Sequence, residues 1–146
     1  QGGGSGIAYS RDAGFSWKKH QGGIGTKYGW MVAADPAKPE IIYFSASDMP
    51  NLLRGEWEPP AHQDGDARTS IYRTVDGSPW ERLTGGLPQP LDYMAYALVT
   101  DPENPGHLYA GLANGDVWYT EDYGDHWNQL PFNLGRINRV MIALYP

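Results

Sequence analysis

The stretch "VWYTEDYGDHWNQL" (residues 117–130) decides the fold. A short β-prone run ends in Thr120, an Asp follows two residues later, Gly124 comes next, and Trp127 opens a second β-prone run. The same order occurs in "IAYSRDAGFSWKKH" from Ile7, with Ser10, Asp12, Gly14 and Trp17, and in "IYRTVDGSPWERL" from Ile71, with Thr74, Asp76, Gly77 and Trp80. Such self-similarity marks a repeat architecture, in which one small unit cannot bury its apolar face alone and stacks on its neighbours. Each Asp carboxylate can accept hydrogen bonds from the turn's own N–H groups, each Gly can take positive φ, and each Trp can pack beneath its hairpin. The second copy is one residue shorter than the others between Asp76 and Trp80.

Working outward, a second shared unit precedes two of the copies. "MVAADPAKPEIIYFSAS" from Met31 and "ALVTDPENPGHLYAGLA" from Ala97 each carry an apolar run, Asp-Pro, a second Pro and an apolar-Tyr strand. Asp35 and Asp101, just before Pro36 and Pro102, are expected to be turn residues, and Asn114-Gly115 signals a tight hairpin. Strands are predicted at 7–10 and 17–19, then at 30–34, 41–45, 70–74 and 80–83. They continue at 96–100, 107–111, 116–120 and 127–130, with a last one at 137–144. Two four-stranded antiparallel units flanked by incomplete ones make an all-β chain and fit the arithmetic of a β-propeller. The expected division is a partial blade at 1–20, a blade at 28–84 with an inserted loop at 48–68, a blade at 93–131 and a closing strand at 137–146.

These motifs resemble the Asp-box family, the bacterial neuraminidase repeats, whose box reads S/T-x-D-x-G-x-S/T-W. Ser10, Asp12, Gly14, Ser16 and Trp17 match it at every position, whereas the third copy carries His126 in place of Ser or Thr. The resemblance implies propeller blades similar to those of sialidases, xyloglucanases and sortilin-type receptors. It also implies that the box closes the hairpin between a blade's third and fourth strands, on the rim away from the substrate face. Asp12, Asp76 and Asp122 are therefore expected to build turns, although they look like a set of carboxylates.

Composition agrees with short strands and many turns: 19 Gly and 12 Pro accompany 6 Trp and 10 Tyr. A net charge of −6 and a pI near 5.0, without a Lys/Arg cluster, argue against nucleic acid as a partner. With no cysteine, disulfides, thiolate metal sites and a thiol nucleophile are excluded. No apolar run approaches the roughly 18 residues of a membrane span. The compartment stays open on these grounds, a secreted or periplasmic location being the expectation.

The spacing between box tryptophans points to a site. It is 63 residues from Trp17 to Trp80 but 47 from Trp80 to Trp127, and the extra 16 fall between Ser47 and Thr69. Loops beyond about 12–15 residues in a compact domain are usually functional or disordered. In a propeller this loop projects from the same face as the blade-to-blade connections. Arg54, Glu56, Trp57, Glu58, His62, Asp64, Asp66 and Arg68 are thus expected near Tyr28, Trp30, Tyr93 and Tyr96. Aromatic faces beside carboxylates and guanidinium groups suit a carbohydrate. The structural alternative is that Trp57 anchors the loop and that Trp30 and Tyr96 pack between blades. His62, Asp64 and Asp66 lack the remaining ligands of a calcium loop. Neither metal nor cofactor is expected.

Two readings of function follow. The first is a non-catalytic module that binds a carbohydrate or protein surface. The second is a segment of a glycoside hydrolase, with Glu56 and Glu58 as the nearest approach to an acid and base pair. The sialidase resemblance would imply an arginine triad and a tyrosine nucleophile, but no motif around Arg54, Arg68, Arg73, Arg136 or Arg139 assigns them. An assembly scaffold is a third possibility. About three blades are too few to close a ring of four to eight. The chain is therefore expected to associate, either with a second copy whose C-terminal strand completes its first blade or with the other blades of a longer propeller.

Overall fold

The computed structural model describes residues 7–24, 27–48 and 65–137. Within them, ten strands form three antiparallel sheets of two, four and four strands, and no helix is present among the described residues. The small sheet pairs β1 (Ile7–Tyr9) with β2 (Lys18–His20). The second runs in order through β3 (Lys27–Ala34), β4 (Ile41–Asp48), β5 (Thr69–Val75) and β6 (Glu81–Arg82). The third comprises β7 (Ala95–Thr100), β8 (Leu108–Leu112), β9 (Asp116–Thr120) and β10 (Asn128–Asn133) in the same meander. These are the expected strands with ends shifted by a few residues. The predicted strand at 137–144 lies outside the described residues except for Ile137.

The first and third Ser/Thr-x-Asp turns are superimposable bond for bond. Ser10 Oγ donates to Asp12 Oδ1 at 2.7 Å and accepts from the Gly14 N–H at 2.8 Å. Asp12 also accepts from the Ser16 N–H at 2.8 Å and the Ser16 hydroxyl at 2.6 Å. Thr120, Asp122 and Gly124 repeat this set, and the His126 ring takes the Ser16 place with Nδ1 2.6 Å from Asp122 Oδ2. The second turn departs from the expectation. With one residue fewer, Asp76 and Gly77 both take positive φ (50° and 76°), the geometry of a two-residue hairpin turn. Asp76 then points away from its own turn and reaches Arg11 of the small sheet at 3.4 Å, while Thr74 Oγ1 donates to Ser78 O.

The sheets stack face to face because side chains alternate along each strand. Ile41, Tyr43 and Ile71 face the third sheet and share one core with its Leu98, Leu108 and Ala110. Phe44, Ala46, Tyr72 and Trp80 face the small sheet, with Ile7 against them. Polar groups stitch the larger seam as well. The buried Asp35 caps its own turn at the Ala37 and Lys38 N–H groups and accepts from the Gly106 N–H across the seam at 2.9 Å. Arg73 donates to Tyr123 O, Asp125 and its own sheet's Glu81 at 2.7–2.9 Å. Burial, with the Asp35 carboxylate nearby, pushes the Tyr43 phenol upward and keeps it protonated.

Each seam also contains a backbone clasp. After β2 and after β6 the chain passes through Gly22-Gly23-Ile24 and Gly85-Gly86-Leu87. The Trp80 N–H donates to Gly22 O and the Trp127 N–H to Gly85 O, both at 2.7 Å. Gly23 and Gly86 have φ of +95° and +90°, and a Cβ on either would collide with the Trp backbone it holds. Only glycine permits both the dihedral and the approach. The preceding unit therefore buries the next unit's Trp. Trp80 and Trp127 are 5% and 4% exposed, whereas Trp17, which no described residue clasps, is 66% exposed. Trp127 also bonds its own turn as expected, Nε1 to Gly124 O at 3.0 Å, but Trp80 Nε1 bonds His20 O of the small sheet, and Trp17 corrects the expectation of burial beneath the hairpin. Trp17 keeps only the local bond, Nε1 to Gly14 O at 3.1 Å.

Candidate functional site

The innermost strands of the two large sheets carry matching irregularities. The β3–β4 register shifts between Gly29 and Met31, and the β7–β8 register shifts between Ala95 and Ala97. Trp30 and Tyr96 are the extra residues. Such bulges re-aim a side chain and leave backbone groups without ladder partners. Ser45, on β4, answers both needs. Its hydroxyl accepts from the Met31 N–H at 3.1 Å and donates to Ala95 O at 2.9 Å, so one buried side chain ties the two bulges together. The rings of Trp30 and Tyr96 consequently meet edge to face, with centroids 4.9 Å apart, and Tyr28 lies 6.2 Å from Trp30.

The floor beneath these rings is tightly bonded. Ser47 and Thr69 share a hydrogen bond at 3.0 Å, and both hydroxyls point at the Met94 sulfur. Ala67, Met94, Tyr96, Ala113 and Ile137 form a buried cluster against which Tyr28 and Tyr93 pack. The approach to β5 is drawn into the same place, because the Ala67 N–H donates to Asp92 O and Thr69 exchanges a pair of bonds with Leu91. Asp66 and Arg68 take φ of 70° and 48° in this approach. Positive φ in non-glycine residues stores strain that recurs at ligand sites. Arg68 Nε is buried without a hydrogen-bond partner, and Asp66 Oδ1 lies 3.5 Å from it.

The structure thus brings together Tyr28, Trp30, Tyr93 and Tyr96 of the residues singled out from sequence, with Arg68 next in the chain to Ala67 of the same cluster. Arg54, Glu56, Trp57, Glu58, His62 and Asp64 lie outside the described residues. Tyr96 is 2% exposed and belongs to the packing, while Trp30 is 36% exposed and presents part of its ring. Ser45 and Met94 were missed, since a serine inside an apolar strand and a lone methionine carry no signal until the two sheets face each other. Among the described residues, no group of three or more His, Asp or Glu side chains is arranged to hold a metal ion, and no helix is long and apolar enough to cross a membrane. The chain matches no family model and no curated protein.

Proposed function

We propose that the chain is part of an Asp-box β-propeller that binds a carbohydrate through the Tyr28, Trp30, Arg68 and Tyr93 surface, without hydrolysing it. The observation that carries this reading is the pair of bulges, which sets the partly exposed Trp30 ring against the buried Tyr96 ring. A partly exposed aromatic ring is the element on which the C–H face of a sugar stacks, and a guanidinium on the same face, the role proposed for Arg68, can bond hydroxyl or carboxylate oxygens. The repeated turns, the meander order and the face-to-face stacking support the propeller assignment. The three Asp-box carboxylates take no part, since Asp12 and Asp122 are consumed by their own turns and Asp76 by Arg11.

A glycan panel tests this directly. The expected result is binding without turnover, lost in Trp30→Ala and retained in Trp17→Ala. Release of sugar by the natural chain, abolished by Asp66→Asn, would establish the hydrolase reading instead. Binding unchanged by Trp30→Ala would remove the site from this face.

A further inference from the structure

A groove of about 350 Å³ lies between the small sheet and the second sheet. Ile7, Tyr9, Ile42 and Trp80 give it apolar walls, and Arg11, Glu40 and Asp76 stand at its polar end. The larger seam shows what fills the corresponding space there. Leu108 and Ala110, which stand where Ile42 and Phe44 stand one unit earlier, are covered by Ile41 and Tyr43 from β4, the neighbour of β5. On the small sheet β1 stands in the β5 position, yet among the described residues it pairs only with β2. Ile42 is correspondingly half-buried where Leu108 is fully buried, and Val32 beside it is 53% exposed.

We infer that this groove is a strand-docking site, and that its occupant is an extended segment of the repeat's own β4 type, hydrogen-bonded antiparallel to the edge of β1 away from β2, which no described residue pairs. The groove continues an interface that is already formed, through the Trp80 clasp and the Arg11–Asp76 pair, so the occupant extends an existing seam. Its register follows from the β4–β5 pair, where Tyr43 opposes Arg73 and Ser45 opposes Ile71. The occupant therefore places a large ring opposite Tyr9, a small residue opposite Ile7, and an aliphatic side chain two positions from the ring over Ile42. Adding a strand to an open edge draws affinity from main-chain bonds and specificity from alternate side chains.

The probe is a synthetic peptide with the sequence of residues 38–46, titrated into the full chain while the Ile7 and Ile42 methyl and Ala8 and Tyr9 amide NMR signals are followed. Saturable shifts confined to these residues are expected. Ile42→Glu should weaken binding at least about tenfold, and so should serine at both the Ile41 and Tyr43 positions of the peptide. Circular dichroism of Ile42→Glu unchanged from the natural chain shows that the loss is local. Absence of shifts, or shifts indifferent to Ile42→Glu, overturns the inference. Self-association that Ile42→Glu abolishes and the peptide fails to compete assigns the groove to a second copy and overturns it equally.

Discussion

Trp17, Trp80 and Trp127 hold one motif position in three environments, and their substitution should separate the motif's local role from its buried one. Trp127→Ala is expected to cost about 3–5 kcal/mol, the loss of a buried ring. Trp17→Ala should stay within about 1 kcal/mol, as exposed positions do; urea unfolding of the two variants measures the difference. The turn carboxylates predict a pH signature. Hydrogen bonds from Ser16 and Ser10 hold Asp12 at about 2. For Asp122, partial burial opposes ionisation, but bonds from the His126 backbone, the His126 ring and Thr120 outweigh it and set about 2. The depressed folded values mean that both turns gain stability above the usual carboxylate range and lose it as pH falls toward 2. His126 is shifted the other way, upward, by its bond to Asp122. Its contribution is complete below the unfolded imidazole value and disappears as pH rises through the folded one. Amide protection at Gly124 and His126, corrected for intrinsic exchange, should therefore fall at both pH extremes. At Gly14 and Ser16 it should fall only in acid, and His126→Ser should make the third turn behave like the first. Ser45 makes a third case: Ser45→Ala leaves the Met31 N–H and Ala95 O without their shared partner and should cost about 1–3 kcal/mol. Because Ser45 joins the bulges, Trp30 fluorescence should change with it, which loss of an unrelated hydroxyl would not cause.

At the scale of strands and turns, most of the architecture was legible because it is written locally. Alternation of apolar residues, the Asp-Pro pairs before Pro36 and Pro102, and Asn114-Gly115 each specify geometry within a few neighbours. All of these elements form where expected. What escaped is what depends on a partner strand. The bulge at Trp30 needs Ser45, 15 residues away, and the burial of Trp80 needs Gly22 from another sheet. The second turn was readable as short, but the turning of Asp76 toward Arg11 follows from the packing of two sheets. The aromatic members of the candidate site were found because Tyr28, Trp30 and Tyr96 fall on first strands and Tyr93 just before one; their buried support was not. The clasp supplies a test at this scale. Gly86→Ala imposes a Cβ at positive φ against the Trp127 carbonyl and should destabilise the chain by more than about 1 kcal/mol. Gly14→Ala, with nothing near its Cβ, should cost only the dihedral strain. Thermal unfolding of the pair measures the contribution of the close approach.

Across the whole molecule the first and third units are alike in turn chemistry, but the three units differ in how they end. Where the first two pass through Gly-Gly followed by Ile24 or Leu87, the third has Phe132-Asn133-Leu134, with Phe132 and Leu134 52% and 54% exposed. β10 runs on to Asn133, whose side chain bonds Asn114 O and Asp116 and so caps the neighbouring hairpin. A repeated surface that can receive its own leading edge invites endless head-to-tail stacking, and a non-closing contact of that kind grows into fibres. Trp17 is exposed as such a leading edge would be, and the third unit carries Phe132-Asn133 where the first two carry the Gly-Gly that holds the next Trp. Installing that Gly-Gly with Phe132→Gly and Asn133→Gly should produce species whose size rises with concentration in sedimentation, suppressed again by Trp17→Ala. That outcome would make Phe132 and Asn133 the residues that keep a modular surface from receiving a second copy of its own leading edge.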